Sequence, residues 1–153
     1  MPPIPRPSDL TMHLGYWMRV VSNHVSQAFA RKVETHDVTV AEWVMMRRML
    51  EQTAIAPSAL ADSMGMTRGA ISKLADRLIA KSLLTRTADA NDGRAQTLAL
   101  TSTGRNLVPS LAALADANDM EFFKHLTATE RVELLRLLQK LADKNGLMSA
   151  PTD

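Results

Sequence analysis

Cysteine is absent from this chain of 153 residues. Without a thiol the chain can form no disulfide, no thiolate metal site and no cysteine redox switch. The composition is compatible with a reducing interior, so we expect a cytoplasmic protein.

Aromatic residues and glycine are also scarce, at 4% of the chain and six residues. Helix-favouring leucine, alanine and methionine abound among the 46% of hydrophobic residues, which disfavours an all-β or doubly wound fold. We expect a mainly α-helical protein forming one compact unit. No apolar run approaches the roughly 18 residues that span a bilayer, and no secretion signal is recognisable, so we expect no membrane partner.

Catalytic and metal-binding motifs are missing as well. The sequence has no Gly-rich phosphate loop, nucleophile elbow or paired carboxylate motif, so we do not expect an enzyme or a cofactor. Four histidines are scattered without HxxxH or HExxH spacing, and we interpret them as surface or interface residues: His13, His24, His36 and His125. We interpret the ten methionines as residues that pack in the core and at interfaces.

The first 34 residues divide into an arm and a long helix. Prolines at positions 2, 3, 5 and 7 predict a flexible arm over 1–8. From Ser8 or Asp9 as cap, apolar residues recur at helical spacing to about residue 34: Leu10, Leu14, Trp17, Val21, Val25 and Ala28. Such a helix is roughly 40 Å long and needs a partner beyond one small lobe.

Residues 39–80 predict three further helices. Thr39 and Glu42 form a capping box, after which we expect these residues to be buried: Val40, Trp43, Val44, Met46 and Leu50. Pro57 begins the next helix, which buries Leu60, Ala61 and Met64 before a sharp turn at Gly65. Thr67 caps a fourth helix whose apolar stripe comprises Ile71, Leu74, Ala75, Leu78 and Ile79.

The remaining sequence predicts a hairpin and two helices. Residues 84–87 and 96–100 have strand character and flank a turn at 89–93. Thr101 or Ser102 caps a fifth helix that buries Leu107, Val108, Leu111 and Leu114 and that Pro109 should bend. A capping box at Thr127–Glu130 opens a last helix, which buries Leu134, Leu135, Leu138 and Leu141, ends at Gly146 and precedes a flexible tail over 147–153.

Two features together resemble the MarR family of winged helix-turn-helix transcriptional regulators. One is the pattern DxRxxxxxLT, which runs from Asp92 to Thr101 and is followed by Gly104; the other is the preceding stretch 67–74 with Arg77-Leu78. The resemblance covers nearly the whole chain. It implies about six helices and a β-hairpin wing, with a DNA-binding lobe over 38–101 and a homodimer formed through the helices of 9–34 and 102–146.

The charge distribution agrees with a DNA-binding lobe. Residues 67–105 hold seven lysines and arginines against three acidic residues, while the rest of the chain holds 11 against 13. On the fourth helix, short and cationic side chains share the faces away from the apolar stripe, as base and phosphate contacts require: Thr67, Arg68, Gly69, Ser72, Lys73 and Arg77. A solvated charged face is the alternative interpretation.

In the predicted wing, the resemblance implies that Arg94 enters the minor groove. Asp92 would orient that arginine or the loop, and Arg86 and Gln96 flank the wing as further candidates for backbone contacts. An ordinary hairpin turn at Asp92-Gly93 is compatible with this role. We expect double-stranded operator DNA as the partner.

The resemblance also implies release from a pseudo-palindromic operator by a small aromatic or anionic effector, such as a phenolic compound. Candidates for its site are His13, Trp17, Trp43 and Arg47, with core tryptophans and a solvated arginine as the alternative. Repression is the commoner mode of the family, and activation stays open. A winged-helix module that binds another protein instead of DNA is the rival function.

Overall fold

A computed structural model describes residues 1–88, 91 and 95–147, and these contain six α-helices and one two-stranded antiparallel sheet. The mainly helical fold and the order of elements are confirmed. The elements are α1 (Leu14–Glu34), α2 (Val40–Met49), α3 (Pro57–Met64), α4 (Arg68–Ala80), β1 (Leu84–Ala88), β2 (Gln96–Leu100), α5 (Ser102–Phe122) and α6 (Ala128–Lys144). None of the described helices is long and apolar enough to cross a membrane.

Four helices begin at a predicted threonine cap. In each, the hydroxyl oxygen accepts a hydrogen bond from the amide three residues later, which satisfies one of the free amides at a helix start: Thr39, Thr67, Thr101 and Thr127. Gly65 follows α3 with a φ of 63°, in the left-handed region that glycine adopts without steric cost. The tight turn that joins α3 to α4 is therefore confirmed.

The start of α1 differs from the prediction. Neither Ser8 nor Asp9 caps it; the chain makes one 3-10 turn over Leu10–Met12 and then extends at His13, the residue before α1. The carbonyl of Asp9 accepts the amide of Met12 in that turn, and its side chain forms no cap hydrogen bond. The carbonyl of Asp9 is therefore engaged in this turn and does not accept the first hydrogen bond of a longer α-helix.

The hydrophobic core is formed mainly by α2, α3, α4 and the hairpin, and it also includes Val33 of α1 and Val108 and Leu111 of α5. Met45, Met46 and Met49 of α2 are at most 1% exposed, and Ile71, Leu74, Ala75 and Leu78 of α4 pack into the same cluster. The predicted burial of Trp43 and Met46 is confirmed. Val40, Val44 and Leu50 are only partly buried, because α2 turns Met45 and Met49 inward instead.

The sheet is joined to this core through Leu84, Leu98 and Leu100, which are at most 9% exposed. Leu84 pairs with Leu100 and Ala88 with Gln96, which confirms the predicted hairpin. Ile55, between α2 and α3, exchanges backbone hydrogen bonds of 2.9 and 2.8 Å with Leu98. The base of the hairpin is thereby attached to the segment that leads into α3.

The last helix contradicts the predicted burial. Residues of α6, all of which are described, include none that is buried, and Leu134, Leu135, Leu138 and Leu141 are 36–57% exposed. The apolar side of α1 is likewise exposed at Leu14, Trp17 and Val21. The helical spacing identified an apolar face correctly, but no part of the described chain covers it.

Candidate nucleic-acid interface

The exposed face of α4 carries the predicted DNA contacts. Ile71, Leu74, Ala75 and Leu78 bury one side of the helix. The predicted contact residues are all exposed on its other faces or at its cap: Thr67, Arg68, Gly69, Ser72, Lys73 and Arg77. The helix is held by its apolar side while its polar side remains accessible, as a helix inserted in a DNA groove must be.

Gly69 leaves open space at the start of this face. A Cβ atom added to it would lie 4.0 Å from Oγ1 of Thr67, its nearest neighbour. Packing within the chain therefore does not require a glycine here. The open backbone permits close approach of another molecule, since no side chain stands between the helix and its surroundings.

Arg77 is held at the edge of α4 by a buried carboxylate. Its Nε lies 3.3 Å from Oε1 of Glu42, which is 1% exposed, while Oε2 of Glu42 accepts a hydrogen bond of 2.8 Å from Nζ of Lys81. The predicted capping box at Thr39 is thus wrong in one half: the threonine caps the helix, but Glu42 does not reach back to the threonine amide. Two cations stabilise a buried carboxylate more than one amide would.

The hairpin presents one candidate that is already paired within the chain. Nη2 of Arg86, on β1, donates to Oδ1 of Asp76 on α4 at 2.9 Å. Asp76 lies on the exposed face of α4 and was not predicted as a functional residue. A like-charged carboxylate next to phosphate would be unfavourable, so the arginine reduces its charge at that surface.

Ser72, Arg86 and Gln96 come together around one cleft. It has a volume of 290 Å³ and lies between α4 and the hairpin, and its other lining residues are Pro57, Ala75, Asp76 and Leu98. Their spacing in the sequence did not predict that Ser72 and Gln96 lie close together. They line one cleft because the hairpin packs beside α4. The predicted residues Asp92 and Arg94 lie outside the described residues.

Arg105 is a further residue that the sequence analysis missed. Its guanidinium donates to the backbone carbonyls of Leu50 and Gln52, at 2.7 and 3.2 Å. These contacts fasten the first turn of α5 to the end of α2. In the sequence, Arg105 is simply a basic residue that follows the wing pattern. Nothing around it predicted that its guanidinium would bind two backbone carbonyls instead of DNA.

The four predicted effector residues have separate surroundings. Trp43 is buried against Phe29, with ring centroids 6.3 Å apart, and the indole of Trp17 donates to the carbonyl of Thr11 at 2.8 Å. Arg47 pairs with Glu51 at 3.5 Å, and His13 is exposed ahead of α1.

A cavity of 450 Å³ beside α1 is lined by other residues: Ala28, Lys32, Asn118, Glu121, Phe122, Lys124 and His125. The effector site stays a prediction.

The geometry defines a class of protein. Two helices joined by a tight turn at Gly65, an exposed second helix and an adjoining antiparallel hairpin constitute a winged helix-turn-helix. Among the described residues, no group of three or more histidines, aspartates and glutamates could hold a metal ion.

Comparison with known proteins relates part of the chain to one family. Residues 36–95 match the model of the MarR family. The transcriptional repressor Rv2887 of Mycobacterium tuberculosis is 26% identical over 128 residues, which are 84% of this chain and 92% of that protein. Over these residues the chain is similar to the MarR family, and this relative is named a transcriptional repressor.

Solved structures agree with this fold. A mutant of Escherichia coli MarR complexed with operator DNA is 26% identical, with a TM-score of 0.77 over 88% of this chain and 99% of that one. Bordetella bronchiseptica BpsR, whose DNA binding is regulated by 6-hydroxynicotinic acid, has a TM-score of 0.79 at 24% identity over 90% and 99% of the two chains. At that identity BpsR supports the fold alone.

Proposed function

We propose that this protein is a sequence-specific DNA-binding repressor that acts as a homodimer on a pseudo-palindromic operator. The exposed face of α4 is the observation that carries the proposal, since it presents Arg68, Ser72 and Lys73 beside the open backbone of Gly69. The operator complex of E. coli MarR supports the same use of a similar fold.

In this proposal α4 enters the major groove. Arg68 and Lys73 contact base edges, Thr67 and Ser72 contact phosphates or bases, and Arg77 reaches the DNA backbone. Gly69 allows the helix backbone to approach. These roles follow from reach: long cations extend to base edges, while short hydroxyl groups act where the helix lies close.

The wing would occupy the neighbouring minor groove. Arg94 inserts there, because the narrow, acceptor-rich groove favours a guanidinium, and Asp92 orients the arginine or its loop. Arg86 lies in the middle of β1 and Gln96 at the turn-side end of β2. Both line the cleft that Ser72 shares, and we propose that they contact the adjoining DNA backbone.

A homodimer accounts for the uncovered apolar faces. Leu135 of α6 is 57% exposed and Leu14 of α1 is 84% exposed, values that are unfavourable for large apolar side chains in water. We propose that 9–34 and 102–146 form the dimer interface and 38–101 the DNA-binding lobe, with an arm at 1–8 and a tail at 147–153. Two copies would hold their α4 helices about 34 Å apart, one turn of DNA.

Release from the operator by a small aromatic or anionic ligand completes the proposal. His13, Trp17, Trp43 and Arg47 are the candidate residues. The DNA binding of BpsR, which shares the fold, is regulated by 6-hydroxynicotinic acid, so this compound is a suitable one to test. Such a ligand acts only if it binds one separation of the two lobes more tightly than the other.

Selection of duplexes from a random-sequence pool by the purified protein tests this function. We expect an enriched inverted repeat with half-sites about 10 base pairs apart, bound in the presence of excess unrelated DNA. A protein-binding module, the rival function, would enrich no sequence. Addition of 6-hydroxynicotinic acid and phenolic acids to the selected complex then tests release.

A further inference from the structure

Glu42 is the most completely buried carboxylate in the described part of the chain, at 1% exposure. Its oxygens are divided between two cations: Oε1 faces Nε of Arg77 at 3.3 Å, and Oε2 accepts from Nζ of Lys81 at 2.8 Å. Burial of a charged group at this depth is unfavourable unless partners compensate it, and here both partners come from the end of α4.

Lys81 extends this cluster to the loop that precedes α2. Its Nζ also donates to the backbone carbonyl of Asp37 at 2.6 Å. Asp37 has a φ of 57°, a left-handed conformation that is uncommon for a residue other than glycine. The cluster therefore joins the loop between α1 and α2, the first turn of α2 and the last turns of α4.

Arg77 differs from Lys81 in its exposure. The side chain of Arg77 is 53% exposed, whereas that of Lys81 is 26% exposed. The contact with Glu42 is made through Nε, so it does not itself occupy the two terminal nitrogens of this half-exposed guanidinium.

We propose that Glu42 is a positioning residue for DNA binding: it fixes the guanidinium of Arg77 so that the terminal nitrogens meet a phosphate at the edge of the groove. The inference rests on the proposed function. It assigns to the first turn of α2, which has no DNA contact of its own in that proposal, an effect on affinity through Arg77. A fixed donor loses less side-chain freedom on binding than a mobile one.

The sign of one substitution separates positioning from simple electrostatics. Glu42→Gln removes a negative charge near a polyanion, so electrostatics alone predicts tighter DNA binding. Positioning predicts weaker binding, because Arg77 loses its fixed orientation. Glu51→Gln is the matched control: it changes the net charge equally, at a carboxylate that pairs with Arg47 and is 79% exposed.

Fluorescence anisotropy with a labelled duplex, selected from random sequences by the wild-type protein, measures the effect over a series of salt concentrations. We expect Glu42→Gln and Arg77→Gln each to raise Kd by about tenfold, as for a charged hydrogen bond. Both should lower the slope of log Kd against log salt by about 0.9, the value for one phosphate contact. Glu42→Gln should add no further loss in an Arg77→Gln background, whereas Glu51→Gln should bind as tightly as wild type or more tightly.

Circular dichroism first establishes that each variant is folded, since a buried cluster that loses one partner can destabilise the lobe. If Glu42→Gln does not fold, Glu42→Asp replaces it, because the shorter side chain keeps the charge but withdraws from Arg77. The same loss of affinity and the same dependence on Arg77 are expected of it. Tighter binding by a folded Glu42 variant, or an equal loss with and without Arg77, overturns the inference while the proposed function stands. Failure of the wild type to select any duplex overturns both.

Discussion

Arg86 and Asp76 link the hairpin to α4 through a hydrogen bond of 2.9 Å between Nη2 and Oδ1. The pair places an arginine predicted to contact DNA against an acidic residue on the exposed side of α4, the side that we propose faces DNA. We therefore expect Arg86 to favour DNA binding in two ways: by compensating the charge of Asp76 and by any direct contact with DNA.

A double-mutant cycle tests this relationship. Arg86→Gln should weaken DNA binding by about tenfold, because it leaves the carboxylate of Asp76 uncompensated near phosphate. Asp76→Asn combined with Arg86→Gln should recover part of that loss. Anisotropy titrations of wild type, Arg86→Gln, Asp76→Asn and the double variant measure the coupling. A double variant that binds no better than Arg86→Gln would contradict the neutralising role.

Substitution of Gly69 should change DNA binding without lowering the stability of the fold. Gly69→Ala should leave the free energy of unfolding unchanged or raise it by up to about 1 kcal/mol, since the added methyl group meets no atom closer than 4.0 Å and alanine is the better helix former. Its Kd for the selected duplex should rise by about tenfold, the order of one lost base contact. Urea denaturation and anisotropy measure the two effects, and unimpaired binding would remove Gly69 from the interface.

Gly104 has the opposite surroundings. A Cβ atom there would lie 2.2 Å from the backbone oxygen of Leu83, so the first turn of α5 could not keep its position beside the start of β1. Gly104→Ala should lower the free energy of unfolding by about 1–3 kcal/mol. Gly69→Ala is the matched control, with no atom closer than 4.0 Å to the added one, and should show no loss by urea denaturation. Equal stability of the two variants would show that α5 shifts without cost.

The capping box of α6 predicts a dependence of stability on pH. The backbone amide of Thr127 donates to Oε1 of Glu130 at 2.9 Å; this bond, followed by that with the Thr127 side chain, lowers the pKa of Glu130 below its ordinary value. A lowered pKa in the folded state stabilises the fold above the ordinary value of about 4.3, and that contribution is lost as pH falls through the folded-state pKa.

Thermal melting of wild type and Glu130→Gln from pH 7 to pH 3 measures this contribution. The Tm of wild type should exceed that of Glu130→Gln at pH 7, and the difference should disappear in the acidic part of the range. Glu133, whose pKa is lowered by the side chain of Arg136, is present in both proteins and cancels in the comparison. A difference in Tm that stays constant down to pH 3 would contradict this role.

The apolar face of α6 predicts the oligomeric state. Leu135→Glu should shift the protein from dimer to monomer, because a charged side chain would be desolvated in the proposed interface. Lys140→Glu, on the polar side of the same exposed helix, should remain dimeric. Sedimentation velocity distinguishes the two masses; a wild type that sediments as a monomer would refute the dimer itself.

Local signals made much of the fold predictable. Threonine caps predicted the starts of α2, α4, α5 and α6, and Pro57 that of α3. Gly65 predicted the turn, and apolar residues at helical spacing predicted which side of each helix is apolar. The start of α1 was wrong, because the 3-10 turn at Leu10–Met12 competes with the cap at Asp9. The burial of α6 was wrong, because an apolar face specifies the need for a partner but not whether the same chain provides it.

The candidate site was predictable only in part. The sequence by itself determined that short and cationic side chains alternate on α4 opposite its apolar stripe, since helical periodicity fixes which residues share a face. Only the tertiary structure decided that Glu42 faces Arg77 and Lys81 instead of Thr39, and that Arg86 faces Asp76. Those contacts join residues up to 39 positions apart, and their partners are set by how helices pack, because a buried charge takes whichever counter-charge the packing brings within reach.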